Sequence, residues 1–312
     1  MRRALLLLAF AACGDDKPAP RVELPGTIWV VEDGAAPTLV RFARGTRTAI
    51  GADLYPSTQT LPDGRLVAIA SRGDGSSTAE QLVFVSPDGK LERFGPAASQ
   101  IRDPAVDKQG RWIVIAASFE GHSELYRVEL AGTVTRLTHN PEGNFRPTLA
   151  GDSIVYVSSR DGDSEIYRDD TRLTAFHRDD WEATPSPDGS MIAFLSDREG
   201  TARIYLMNAD GTNLRRLTTH TGEESAPTWS ADGKQLAYVM NNQVWVRDVA
   251  RNRDRAITPP GATELEPSFS PDGRWLAVSR ERGDGNEVWA VPLDAGEPVL
   301  VAQNARLPRW LP

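Results

Sequence analysis

A polar turn that closes on glycine and runs into an alternating apolar stretch is written six times along this chain: LPDGRLVAIAS, DKQGRWIVIAAS, LAGDSIVYVSS, SPDGSMIAFLSD, SADGKQLAYVM and SPDGRWLAVSR. Self-similarity of this kind specifies a repeat array. The turn glycines Gly64, Gly110, Gly151, Gly189, Gly233 and Gly273 are 46, 41, 38, 44 and 40 residues apart. That is the length of one four-stranded propeller blade, and it is too long for most helical repeats. The runs favour β-branched and aromatic residues, and Asp-Gly pairs sit where two strands need a tight turn.

Between the glycine turns an apolar residue followed by an aromatic one recurs, at Val83-Phe84, Leu125-Tyr126, Ile166-Tyr167, Ile204-Tyr205, Val244-Trp245 and Val288-Trp289. It opens an outer hairpin that ends in a basic-apolar strand such as VTRLT or LRRLT. Each period therefore reads as inner strands a and b followed by outer strands c and d. The dipeptide also occurs at Ile28-Trp29, ahead of the first full repeat, so TIWVVED reads as a strand c and TLVRFA as its strand d. At the other end ARLPRW copies a strand a. Pairing the two ends removes exposed sheet edges. The expectation is an all-β, seven-bladed propeller, with six complete repeats and one closing blade split between the termini and lacking an obvious strand b. The short outer hairpin of repeat 147–174 keeps a six-bladed ring as the alternative.

Residues 1–12 combine a basic start, an apolar run and small residues ahead of Cys13, and MRRALLLLAFAAC resembles a bacterial lipoprotein signal peptide. The resemblance implies cleavage before Cys13 and acylation of that residue. The apolar run is far short of the roughly 20 residues that span a bilayer. Residues 13–25 follow as a lipidated cysteine and a polar, Pro-containing tether reaching at most about 40 Å, and 26–312 form the propeller. Cys13 is the only cysteine, so an intramolecular disulfide and a cysteine-based metal site are both excluded. The chain carries −8, which becomes −10 once Arg2 and Arg3 leave with the signal. Nucleic acid and anionic lipid demand a basic footprint, so neither is expected as the main partner. Membrane contact is expected through the anchor alone.

The segments PTWSADGK and PSFSPDGR, each preceded by an LT or IT strand, resemble the propeller repeats of the TolB family over residues 26–310. TolB-family chains carry an α/β domain before the propeller, for which no counterpart is read here. The resemblance implies a non-catalytic, extracytoplasmic binding scaffold, expected as a monomer. Its partner would be an envelope protein or peptide, by analogy a peptidoglycan-associated lipoprotein.

In a four-stranded blade the a–b and c–d turns lie on one face and the b–c and d–a loops on the other. The first set is short and stereotyped. The second is longer and varied, as in HNPEGNFRP, FHRDDWEA, HTGEESAP and GATELEP, and variable loops on a rigid scaffold carry function. Three residues before the strand-a proline, or its equivalent, stand Asp53, Ile101, Asn144, Asp180, Glu224, Glu264 and Ala305. Rotation about the propeller axis makes these positions equivalent. Asp53, Asn144, Asp180, Glu224 and Glu264 are therefore the candidate binding residues at the channel mouth. The four acids are expected to repel one another unless Ca2+ or a basic partner offsets them; solvated residues at strand starts would look the same. His139, His177 and His220 share the d–a loops of successive repeats and are weak metal candidates. DGDSE (161–165) lacks the length of an EF-hand loop. The Arg-Gly-Asp tripeptides at 72–74 and 282–284 read as turns. No G-x-S-x-G elbow occurs. The competing function is a propeller lyase or hydrolase acting on a saccharide or peptide through channel-facing carboxylates and histidines.

Overall fold

A computed structural model describes residues 23–73, 78–119, 121–261, 263–283 and 285–312. The leader, Cys13, Asp74 and Asp284 lie outside these residues. The described chain forms seven four-stranded antiparallel sheets. Blades 1 to 6 take their strands a to d in order from residues 54–98, 100–136, 144–172, 180–216, 224–256 and 264–303. Repeat 147–174 keeps its outer hairpin as Glu165–Arg168 and Thr171–Arg172, which makes the ring seven-bladed.

Blade 7 closes the ring from both ends of the chain. Ala305–Leu311 is its strand a and pairs with Thr27–Glu32, with Ile28 opposite Trp310 and Thr27 opposite Leu311. This corrects the reading of TIWVVED, which is strand b rather than c. TLVRFA is strand c, and strand d is Thr46–Ala52. The reason is burial. Trp29, Val30 and Val31 are 4%, 0% and 0% exposed, so strand b is apolar on both faces and its Ile-Trp pair imitates the strand-c dipeptide. Strand b of blade 2, WIVIAAS, is likewise buried along its whole length. Strands covered on both sides lose the polar-apolar alternation of a half-exposed sheet.

No single central core exists, because each blade packs its face on the next. Leu195 and Ile204 of blade 4 meet Leu236 and Tyr238 of blade 5. The ring is sealed where Ala277 and Ala290 of blade 6 meet Ile28, Val40 and Trp310 of blade 7. The a–b turns explain the repeated Ser-Pro-Asp-Gly. The N–H of Gly189 donates to the Ser186 carbonyl at 2.8 Å with φ at +71°, a conformation open to glycine at little cost. Ser186 and the Ser190 N–H both donate to Asp188, at 2.5 and 3.0 Å. Blades 5 and 6 repeat the arrangement at Asp232 and Asp272.

The Ser186 hydroxyl, followed by the Ser190 N–H and hydroxyl, holds the Asp188 carboxyl down at about 2. A depressed pKa contributes stability above the unfolded value near 3.9 and loses it as pH falls towards the folded one. Melting temperature measured from pH 5 to pH 2 should therefore fall less steeply in Asp188→Asn than in the parent protein. Parallel acid limbs would refute the role given to this turn.

Candidate functional site

Asp180, Glu224 and Glu264 do not form a solvated rim, because they are 0%, 1% and 0% exposed; Asn144 is also sealed. Glu224 accepts the Ile204 N–H at 2.8 Å and the Thr218 hydroxyl at 2.6 and 2.7 Å, reaching from blade 5 into blade 4. Arg198 donates to both oxygens of Asp180 at 3.0 Å. Burial raises the Asp180 carboxyl, opposed by hydrogen bonds from Ser196 and Arg198. Arg280 donates to Glu264 at 2.6 and 2.8 Å, and Asn144 donates to Glu124 at 2.9 Å. These groups fasten strands to one another. The acids therefore do not stand as an open, mutually repelling rim: each accepts donors, although Glu264 Oε2 is sealed without a partner. Only Asp53 of the set is exposed.

The LT threonine is the common element. Thr138 donates to Glu124, Thr174 to Glu165 at 2.5 Å and Thr218 to Glu224, while Thr138, Thr174 and Thr258 accept a strand-c N–H at 2.9 to 3.1 Å. Blades 2 and 3 supply the carboxylate from their own strand c, and blade 4 borrows it from the next blade. Glu165 also accepts Arg172 and the Phe176 N–H, so DGDSE ends in a structural acid. The histidines do not assemble. His139 and His177 are exposed, His177 stacks on Phe176, and His220 lies over Trp245 with its Nε2 3.3 Å from Asp254. Among the described residues no group of three or more His, Cys, Asp or Glu is placed to hold a metal ion.

The ring that faces the channel lies two residues further along strand a. It consists of Tyr55, Asp103, Arg146, Glu182, Ala226, Glu266 and Leu307. Six of these, from Asp103 onward, have φ between 48° and 56°. A left-handed non-glycine residue costs about 1 kcal/mol, and each blade tolerates it because a β-bulge breaks the a–b ladder at that point. At the bulge these residues line a channel of about 860 Å³. A signal for it was present in Pro56, Pro104, Pro147, Pro227, Pro267 and Pro308, since proline inside a strand marks an edge or a bulge.

Most acids of the channel are engaged. Glu182 pairs with Arg146 at 2.8 Å and accepts the Ala226 N–H at 3.2 Å. Glu266 accepts the Leu307 N–H at 2.9 Å and the Ser279 hydroxyl at 3.1 Å. Glu80 accepts the Ile101 N–H and Arg102, both at 2.6 Å. Asp103 is exposed along the channel, yet crowding by protein pushes its carboxyl up against the pull of Arg146 and Arg102.

Phe119, Phe145 and Phe176 are 37%, 41% and 39% exposed. Phe119 follows strand b of blade 2, Phe145 is the second residue of strand a of blade 3, and Phe176 lies in the d–a loop before blade 4. All three stand on the variable-loop face. The exposed aliphatic residues Leu91, Val134 and Leu214 lie at c–d turns on the opposite face. Sequence reading passed over these phenylalanines because nothing in their local pattern separates an exposed ring from a buried one.

The structure thus defines a seven-bladed β-propeller with a central channel that charged residues line and three partly exposed phenylalanines on its variable-loop face. A profile of the TolB beta propeller domain matches residues 168–312. An uncharacterized protein of Agrobacterium fabrum is 32% identical over 257 residues, covering 75% of this chain and 78% of that protein. A TolB homolog of Chlorobium luteolum is 33% identical over 161 residues, covering 49% of this chain and 37% of its own. The crystal structure of TolB from Acinetobacter baumannii superposes with a TM-score of 0.57 at 22% identity, over 93% of this chain and 67% of that one. The chain belongs to the TolB-like β-propeller family. The same fold recurs in an oligogalacturonate lyase at 13% identity and a puromycin-hydrolyzing peptidase at 14%. Fold alone therefore does not separate binder from enzyme.

Proposed function

We propose that this protein is a lipid-anchored, extracytoplasmic, non-catalytic scaffold that holds an envelope protein or peptide against its variable-loop face, with Cys13 as the anchor. The reading is carried by the three partly exposed phenylalanine rings on the variable-loop face. Aromatic residues are enriched in the buried centres of interfaces, and these three rings share the face of the variable loops. The leader sequence and the TolB relatives support the cell envelope as its location. A peptidoglycan-associated lipoprotein remains the partner by analogy. Catalysis on a saccharide or peptide is the second reading, and the raised Asp103 carboxyl is the observation in its favour.

Crosslinking in cells followed by fractionation and pull-down tests the proposal. The triple variant Phe119→Ser, Phe145→Ser, Phe176→Ser should lose partner capture about tenfold or more while staying folded, with some fall in melting temperature because the rings are only about two-fifths exposed. Cys13→Ala should release the protein from membranes. Capture by the triple variant at parental levels would sink the docking face, and equal membrane retention of Cys13→Ala would sink the anchor.

A further inference from the structure

Two residues deeper than the channel ring, the equivalent position holds Ser57, Ala105, Thr148, Thr184, Thr228 and Ser268 in six blades and Arg309 in blade 7. About 6.6 Å of strand separates the two levels. A single guanidinium thus enters the channel where every other blade offers a small side chain. Its Nη1 donates to the Pro308 carbonyl at 3.0 Å, while its Nε is sealed from solvent with no hydrogen-bond partner. Arg146 and Arg102, the other channel arginines, are in ion pairs with Glu182 and Glu80. Among the described residues no carboxylate lies in ion-pair range of Arg309. Crowding by protein lowers its pKa, opposed by the more distant Glu266 and Asp103.

We propose that Arg309 is a carboxylate anchor in the channel, and that it takes the free C-terminal carboxylate of a peptide. A partly buried cation without a carboxylate partner is costly to keep, whereas a planar guanidinium fork matches a carboxylate bidentately. The ring above it is rich in acceptors, with Glu182, Glu266, Asp103 and the exposed Asp53 at the mouth. A dianionic phosphate would pass this ring unfavourably. A ligand with one terminal anion and N–H or ammonium donors behind it complements both levels. The peptide identity rests on the binding reading above, whereas the anion site stands on Arg309 alone.

The test uses the full-length protein and three probes: N-acetyl-Lys-Gly-Gly with a free carboxylate, the same peptide as its C-terminal amide, and galacturonate. Nitrogen-15 NMR of arginine Nε–H groups reports Arg309 directly, and calorimetry reports affinity. The acid peptide should shift the Arg309 signal and bind about tenfold or more tightly than the amide. Arg309→Gln should abolish that preference while melting no lower than the parent protein, because it removes an unpaired charge. Equal binding of acid and amide, or an unmoved Arg309 signal, overturns the proposal. A response to galacturonate without one to the acid peptide overturns the peptide assignment in favour of a sugar acid. Loss of capture by the triple phenylalanine variant together with equal acid and amide binding would leave the docking face standing and remove this site alone.

Discussion

Deleting residues 304–312 should lower the melting temperature by roughly 15–30 °C and drive association, whereas deleting 14–22 should leave melting unchanged. The deletion removes the innermost strand of blade 7. Trp310, 4% exposed, leaves the cluster that joins blades 6 and 7, and with it go its backbone bond to the Ser268 hydroxyl at 2.9 Å and its indole bond to Pro25. Losing a buried tryptophan alone costs about 3–5 kcal/mol. Thr27–Glu32 is also left with a bare edge that carries Val30 and Val31, both fully buried in the closed ring. An apolar strand edge is a template for pairing with another chain. Calorimetry and size-exclusion chromatography read both effects. If the two truncations melt alike, closure through the chain ends is not what holds the ring.

Glu224→Ala should destabilise the protein by about 3 kcal/mol, roughly 5–10 °C in melting temperature. The carboxylate is 1% exposed and satisfies the Ile204 N–H and the Thr218 hydroxyl, neither of which can turn to water once it is gone. Because the acid comes from blade 5 and its donors from blade 4, the loss falls on a blade interface. Thr218→Ser keeps the hydroxyl and should cost far less. A Glu224→Ala protein that melts with the parent would mean that this latch carries no stability.

The number of blades, the order of strands and the pairing of ARLPRW with TIWVVED were legible in the sequence. Those features follow from a repeated turn chemistry and from the need to leave no sheet edge open, and both are local or topological. The Ser-Pro-Asp-Gly turns could be read in the same way, since serine, aspartate and glycine each meet a backbone requirement within five residues. The assignment of strands within blade 7 was not legible. A strand covered by neighbours on both faces carries an apolar run that two different positions share, and burial alone tells them apart.

The candidate site shows the same division. Counting back from the proline picked out Asp180, Glu224 and Glu264, which are indeed equivalent by rotation. Sequence spacing cannot say whether an acid at a strand start meets water or a threonine hydroxyl of the neighbouring blade. At the bulge in strand a, left-handed residues such as Glu182 and Glu266 line the channel, two positions further on. The standing of Arg309 likewise depends on which side chains converge from seven blades. One sequence thus determined the repeat, the turns and the closure, because each depends on residues close in the chain or on the edges they leave. Only the tertiary structure decided which carboxylates are latches and which residues line the channel, because burial and direction are set by neighbours tens to hundreds of residues away.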